Sequence, residues 1–212
     1  METYVFDLDG TLLDTLDDLT DAVNFALAAC ELPTRTREEV RAFIGNGIKT
    51  LMFRAVGETN ADRAEETLRI FKAYYAEHCL DKTKPYDGVK ETLAELLKRG
   101  KKIAVVSNKA DFATKKLCLS LFPEIPVAIG ENESAGVRKK PAPDAVLAAL
   151  QALNAQKETA VYVGDSEVDI QTANNAGIPC VSVSWGFKDR EFLLANGATK
   201  IIDEPKELLD IE

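Results

Sequence analysis

The chain has 212 residues, of which 46% are hydrophobic and 29% are charged, and it carries a net charge of −9. This composition is typical of a globular protein, and the acidic balance argues against nucleic-acid binding, which calls for a clustered basic face. No apolar run approaches the ~20 residues that cross a membrane, and the acidic N-terminal segment does not resemble a signal peptide, so we expect no membrane partner.

Short apolar runs alternate with helical patterns along the chain. Helical periodicity follows several of these runs, as in 89–97, 145–153 and 170–176. Continuous apolar strands that alternate with helices indicate a parallel sheet covered on both faces, so we predict a doubly wound, Rossmann-like α/β fold. The candidate strands are 3–6, 103–106, 127–129, 160–163, 180–183 and 201–202.

Almost a hundred residues separate the first candidate strand from the second, far more than a crossover needs. Most of this segment has a helical pattern, and the turn sequence Pro85-Tyr86-Asp87-Gly88 follows it. We therefore predict a helical insertion over 16–81, and an α/β core formed by 1–15 and 82–212.

The first candidate strand ends at Asp7-Leu8-Asp9-Gly10-Thr11. Two carboxylates beside the backbone amides of a glycine turn suit a metal ion and a phosphate held together, because buried acids repel unless a cation lies between them. A turn alone would also explain Asp-Gly-Thr, since these residues favour turns.

Three further polar groups follow later strands: Ser107-Asn108-Lys109, Lys140, and Asp165-Ser166 with Asp169. Each alone is also explained by a helix cap, a turn or a solvated charge run. Ligands of open α/β sheets bind beyond the carboxyl ends of the strands, so we expect the groups to converge there with Asp7 and Asp9.

These motifs, in this order, resemble those of the haloacid dehalogenase-like (HAD) hydrolase superfamily. Within it, the chain is most similar to the phosphoglycolate phosphatase-like group, although Ser107 stands where that group commonly has Thr. The inserted helical segment matches the superfamily's cap domain. The motifs that carry the resemblance are Asp7 to Thr15, Gly45-Asn46-Gly47, Val106 to Lys109, Lys140-Pro141, Gly164 to Asp169 and Trp185-Gly186-Phe187.

The resemblance implies a role for each core residue. Asp7 would be the nucleophile that forms an aspartyl-phosphate, and Asp9 would be the general acid and then the general base. Mg²⁺ would be the cofactor, bound by Asp7, Asp165 and the main-chain carbonyl of Asp9, with Asp169 holding waters on the metal. The residues that would bind the phosphoryl group are Gly10, Ser107, Asn108 and Lys140.

The cap would supply substrate contacts. Gly45, Asn46 and Gly47 are candidates for a loop that points at the substrate, although a simple turn between helices explains them as well. Lys49 or Arg54 would meet a substrate carboxylate by charge-assisted hydrogen bonding.

The resulting hypothesis is a Mg²⁺-dependent phosphatase of a small phosphorylated metabolite, with 2-phosphoglycolate as the first candidate. A β-phosphoglucomutase-like mutase and a pyrophosphatase share this chemistry and stay as alternatives. A non-catalytic binding protein is disfavoured, because Asp7, Asp9, Lys140 and Asp165 are all present. The sequence does not decide between a monomer and a homodimer.

The four cysteines are widely spaced, and none forms a Cys-x-x-Cys pair. This spacing argues against a zinc site and favours free thiols in a reducing compartment, so we expect a cytoplasmic protein.

Overall fold

A computed structural model describes residues 1–132 and 136–211 of the chain. The chain divides into two compact units: Met1–Asp14 with Pro85–Glu212, here called the core unit, and Thr15–Lys84, here called the helical unit. The predicted insertion, 16–81, falls inside the helical unit, which begins one residue earlier and ends three residues later.

Strands and helices alternate through the core unit, while α-helices account for most of the helical unit. In chain order the strands are β1 Thr3–Phe6, β2 Leu13–Asp14, β3 Lys84–Pro85, β4 Lys102–Ala110, β5 Val127–Glu131, β6 Ala160–Gly164, β7 Cys180–Val183 and β8 Ile201–Ile202. The α-helices are α1 Leu16–Ala29, α2 Arg37–Phe43, α3 Ile48–Val56, α4 Ala64–His78, α5 Val89–Lys98, α6 Asp111–Leu121, α7 Asp144–Ala152, α8 Glu167–Ala176 and α9 Arg190–Ala195. Short 3₁₀ segments cover Glu58–Arg63, Lys157–Thr159 and Pro205–Asp210.

The core unit is built on a parallel sheet with the strand order β5-β4-β1-β6-β7-β8. Strands β4 and β5 lie on one side of β1, and the chain then returns to place β6, β7 and β8 on the other side. This reversal makes the carboxyl end of β1 the topological switch point, where open α/β sheets bind ligands. The predicted doubly wound α/β fold is confirmed.

Strand β1 lies in the middle of the sheet, and Tyr4, Val5 and Phe6 are all buried. Helix α7 packs on one face through Val146 and Ala149. Fully burying one such aliphatic or aromatic side chain contributes about 1.5–3 kcal/mol, so the central strands anchor the residues at their ends.

Strand β4 is longer than the predicted strand over 103–106, because its backbone stays extended to Ala110. Its pairing with β5 is interrupted after Val106 and resumes where Ala110 meets Glu131. The polar residues Ser107, Asn108 and Lys109 therefore belong to the strand itself and not to a loop that follows it.

The helical unit packs around its own apolar core. Leu19, Val23 and Leu27 of α1 are buried, as are Phe71 and Tyr75 of α4. Within the described residues, no helix combines the length and the apolar character needed to cross a membrane.

A buried carboxylate ties the start of α1 to the last residues of the helical unit. Asp18 is 2% exposed, and it accepts hydrogen bonds from the amides of Lys82 (2.9 Å) and Thr83 (2.8 Å) and from the Thr83 hydroxyl (2.7 Å). Hydrogen bonds to a charged acceptor contribute more than neutral ones, so Asp18 holds the two ends of this unit together.

We expect Asp18→Ala to lower the free energy of unfolding by about 2–4 kcal/mol, because two buried donors of Thr83 and the part-buried amide of Lys82 lose their acceptor. Asp17→Ala is the matched control: Asp17 is exposed and pairs with Arg37 at the surface, so its loss should cost about 0–1 kcal/mol. Urea unfolding of both variants measures the difference, and equal losses would contradict the role given to Asp18.

Candidate active site

The turn after β1 is fixed by backbone hydrogen bonds to one carbonyl. The oxygen of Leu8 accepts from the amides of Thr11 (3.3 Å), Leu12 (3.0 Å) and Leu13 (3.0 Å). Gly10 has a φ of +83°, and a Cβ there would lie 2.3 Å from Oδ2 of Asp165. Only glycine fits this position, so the turn brings the Asp7 segment directly against Asp165.

Three buried carboxylates meet at the carboxyl ends of β1 and β6. Oxygens of Asp7, Asp165 and Asp169 lie within 4.8 Å of one another. Asp7 follows β1, Asp165 follows β6, and Asp169 lies in the first turn of α8. The structure thus brings together residues that the sequence separates by more than 150 positions, as the predicted sheet topology requires.

Lys140 supplies positive charge to this cluster. Its Nζ lies 2.7 Å from Oδ1 of Asp169, 2.9 Å from Oδ1 of Asp7 and 3.1 Å from the Tyr162 hydroxyl. Burial lowers the pKa of Lys140, but Asp169 and Asp7 together outweigh this effect and hold the pKa well above its ordinary value. The ammonium therefore stays protonated.

One ammonium does not balance three carboxylates. Burial, opposed by Lys140 and reinforced by Asp169, raises the pKa of Asp7 from 3.8 to about 6. Burial, together with Asp169 and Asp7, raises the pKa of Asp165 well above its ordinary value. Carboxylates that resist ionisation together fit a bound cation, because a cation favours their charged forms. The cluster is able to hold a metal ion.

The carboxylate of Asp169 is engaged by protein donors on both oxygens. Its Oδ2 accepts from the amides of Asp165 (3.1 Å) and Ser166 (3.0 Å) and from the Ser166 hydroxyl (2.7 Å), while Oδ1 accepts from Lys140. A Cβ at Gly164 would lie 2.3 Å from Cγ of Asp169, so the strand end must be glycine. Asp169 thus orients Lys140 and the turn that carries Asp165.

The segment after β7 orients the Asp165 carboxylate through a hydrogen bond. Its Oδ2 accepts the amide of Phe187 at 2.7 Å, and the indole of Trp185 donates to the Thr11 carbonyl at 3.0 Å. A Cβ at Gly186 would lie 2.3 Å from Cβ of Asp165. The Trp-Gly-Phe segment therefore contacts the site through the Trp185 indole, the Phe187 amide and the close approach of Gly186.

The end of β4 contributes Ser107, Asn108 and Lys109, all of them buried. The Asn108 side chain makes a two-point contact with the main chain of Lys140: Oδ1 accepts from the amide (2.7 Å) and Nδ2 donates to the carbonyl (3.0 Å). The backbone on both sides of the Lys140 side chain is thereby fixed. The predicted phosphate-binding role of Asn108 stays a prediction, and it would rest on the backbone amide.

Sequence reasoning assigned no role to two side chains that the site contains. Lys109 contacts both carboxylate oxygens of Asp9, and Tyr162 joins Lys140 to the carbonyl of Val106. Lys109 could have been found, because it lies beside Ser107 and Asn108 in the same motif. Tyr162 carried no signal, because an aromatic residue within an apolar strand is usually a core residue.

The predicted substrate contacts of the cap lie within the helical unit. Gly45, Asn46 and Gly47 connect α2 to α3, and Lys49 and Arg54 lie on α3. The guanidinium of Arg54 donates to the Phe43 carbonyl at 2.9 Å. Their role in substrate binding stays a prediction.

Comparison with known proteins identifies the class. The sequence profile of the haloacid dehalogenase-like hydrolases matches residues 4–183, and the chain belongs to this family. The predicted family and fold class are therefore confirmed.

Within this family, the chain is similar to several phosphatases and to solved structures of related proteins. The chain is 36% identical over 192 residues to a phosphoglycolate phosphatase of Mesorhizobium japonicum, covering 88% of this chain and 84% of the relative. It is 35% identical to a crystal structure from Lactobacillus delbrueckii subsp. bulgaricus, assigned provisionally as a phosphoglycolate phosphatase, with a TM-score of 0.91 and coverage of 98% and 96%. CbbY of Rhodobacter sphaeroides, solved in complex with phosphate, is 27% identical, with a TM-score of 0.75 and coverage of 98% and 96%.

We expect Asn108→Ala to lower the free energy of unfolding by about 2–3 kcal/mol, because it leaves a buried amide and a buried carbonyl of Lys140 without partners. Asn175→Ala is the control: Asn175 donates to the neighbouring Pro141 carbonyl at 2.8 Å from an exposed position, and its loss should cost less than about 1 kcal/mol. Thermal and urea unfolding measure both variants, and an Asn108→Ala protein as stable as Asn175→Ala would contradict this role.

Proposed function

We propose that the protein is a Mg²⁺-dependent phosphatase that hydrolyses a small phosphomonoester, with 2-phosphoglycolate as the first candidate substrate. The observation that carries the proposal is the buried Asp7 carboxylate, held 2.9 Å from Lys140 inside a cluster with surplus negative charge. The names of the relatives agree with this activity.

Asp7 acts as the nucleophile. One of its oxygens forms a bond to phosphorus as the bond from phosphorus to the leaving-group oxygen breaks, which gives an aspartyl-phosphate. The amide of Leu8 donates to Oδ1 of Asp7 at 2.7 Å, and Lys140 contacts the same oxygen. These two donors fix the orientation of the carboxylate before it attacks.

Asp9 acts as the general acid and then as the general base. It protonates the departing oxygen in the first step and takes a proton from the attacking water in the second. One group serves both steps because the leaving oxygen departs from the same side of phosphorus that the water later attacks. Hydrolysis then restores Asp7 and releases phosphate.

The phosphoryl oxygens are bound by Lys140, the Ser107 hydroxyl and the backbone amides of Gly10 and Asn108. Donors of this kind stabilise the charge that develops in the transition state. The binding of phosphate by CbbY supports an anion site in this fold.

Mg²⁺ would be held by the carboxylates of Asp7 and Asp165 and by the main-chain carbonyl of Asp9, a set of oxygen donors that suits this ion. When bound, it offsets the repulsion between Asp7 and the incoming phosphate dianion.

The alternatives share the chemistry but have less support. A mutase would hand the phosphoryl group back to a sugar, and a pyrophosphatase would release two phosphates, whereas the curated relatives are named as phosphoglycolate phosphatases. All four cysteines are free, which agrees with our proposal of a cytoplasmic protein.

We expect phosphate release from 2-phosphoglycolate in the presence of Mg²⁺, little release from pyrophosphate and no isomerisation of hexose phosphates. Asp7→Asn should abolish turnover, with a loss of more than about 10³-fold, because an amide oxygen does not form the phospho-intermediate. The control, Asp203→Asn, removes an exposed partner of Arg190 and should leave turnover unchanged. Turnover by Asp7→Asn would refute the nucleophile, and isomerisation without phosphate release would favour the mutase.

We expect Mg²⁺ to raise the melting temperature more at pH 7.5 than at pH 5. The pKa of Asp7, raised to about 6, means that the metal-free folded protein takes up a proton that the unfolded chain does not. This contribution to stability is present below about pH 4 and is lost as the pH rises through 6. Mg²⁺ needs ionised carboxylates, so it binds better above pH 6, where 100 times its Kd would stabilise by about 2.7 kcal/mol.

Thermal melts with and without MgCl₂ at the two pH values measure this effect. Asp165→Asn, which removes a proposed ligand, should abolish the response to Mg²⁺, whereas Asp203→Asn should keep it. A response that is absent in the unmodified protein, or larger at pH 5, would contradict the metal site.

A further inference from the structure

Lys109, which is buried, forms an ion pair with the partly buried Asp9. Its Nζ lies 2.9 Å from Oδ1 and 3.1 Å from Oδ2 of Asp9, and the two side chains are 2% and 13% exposed. An ion pair removed from water is much stronger than one at the surface, and it holds a defined geometry. This contact therefore restrains the Asp9 side chain.

The two partners are presented by rigid backbone. Asp9 lies in the turn whose hydrogen bonds converge on the Leu8 carbonyl, and Lys109 lies in β4, next to β1 in the sheet. The Lys109 carbonyl accepts from the Thr114 hydroxyl of α6 at 3.3 Å, which ties the strand end to the following helix. Since both backbones are fixed, the ammonium of Lys109 determines where the Asp9 carboxylate rests.

The position of Asp9 matters because proton transfer requires one of its oxygens to reach the leaving-group oxygen. A misplacement of about 1 Å can cost 10²-fold in rate. We infer that Lys109 is a positioning residue: it fixes the Asp9 side chain so that, when Asp9 carries a proton, its carboxyl group delivers that proton to the leaving-group oxygen. This inference rests on the proposed function, since it assumes that Asp9 is the general acid.

The test compares two substrates whose leaving groups differ in their need for a proton. 2-Phosphoglycolate releases an alkoxide, which must be protonated, whereas 4-nitrophenyl phosphate releases a stabilised phenolate. kcat/KM reports the steps up to loss of the leaving group, so the later hydrolysis of the aspartyl-phosphate does not affect it.

We expect Lys109→Met to lower kcat/KM about 30-fold on 2-phosphoglycolate and less than about 3-fold on 4-nitrophenyl phosphate. Lys109→Arg keeps the charge and two donors and should recover most of the loss. The control is Lys115→Met, which breaks an exposed pair with Asp111 (2.7 Å) and should change neither value. Equal losses on both substrates, or no loss, would overturn the inference, since a merely structural pair does not discriminate between leaving groups.

Two further variants keep the outcome decisive. If Lys109→Met does not fold, Lys109→Gln, which keeps one amide donor, should show the same selective loss to a smaller degree. In an Asp9→Asn background, Lys109→Gln should cause no additional selective loss, because its effect acts through Asp9.

Asp9→Asn alone separates the two proposals. A selective loss on 2-phosphoglycolate in Asp9→Asn that is absent from the Lys109 variants would overturn the role of Lys109 and leave the proposed function intact. Full activity of Asp9→Asn on both substrates would overturn both.

Discussion

The site depends on one electrostatic imbalance. Asp7, Asp165 and Asp169 are buried within reach of one another, and Lys140 is the ammonium that contacts two of them. Desolvating acids costs free energy unless positive charge compensates for it, so the rest of the arrangement serves to make the cluster tolerable without removing its negative charge. A backbone amide donates a hydrogen bond to each carboxylate. The negative charge that Lys140 does not balance is what favours a bound cation.

The stability of the parallel sheet compensates for the cost of placing these charges together. Its apolar strands hold their own positions through burial, so the residues just beyond the strand ends are free to be polar. Because the strand order reverses at β1, the ends of β4 and β6 flank the Asp7 turn on both sides. The three carboxylates come from distant points in the chain, yet Asp7 and Asp165 directly follow their strands and Asp169 lies in the first turn of the next helix.

The sequence alone was sufficient to predict the sheet and the convergence of Asp7, Asp165 and Asp169 at its edge. Periodicity marks the strands, and the position of Asp7, Asp9 and Asp165 after apolar runs predicts where they meet. Side-chain partnerships were not predictable in this way. The contact of Asn108 with the Lys140 main chain and that of Lys109 with Asp9 depend on the extension of β4 to Ala110, which polar residues at 107–109 do not suggest.

The extended end of β4 also constrains how this segment can change. Asn108 and Lys109 are adjacent in this segment, yet their side chains contact different partners: Asn108 contacts the main chain of Lys140, and Lys109 contacts the Asp9 carboxylate. A single inserted or deleted residue just before Ser107 would move both side chains out of register with these partners. The length of the segment between the apolar part of β4 and its polar end therefore matters as much as the residue types, because a substitution removes one contact whereas a shift in length disrupts both at once.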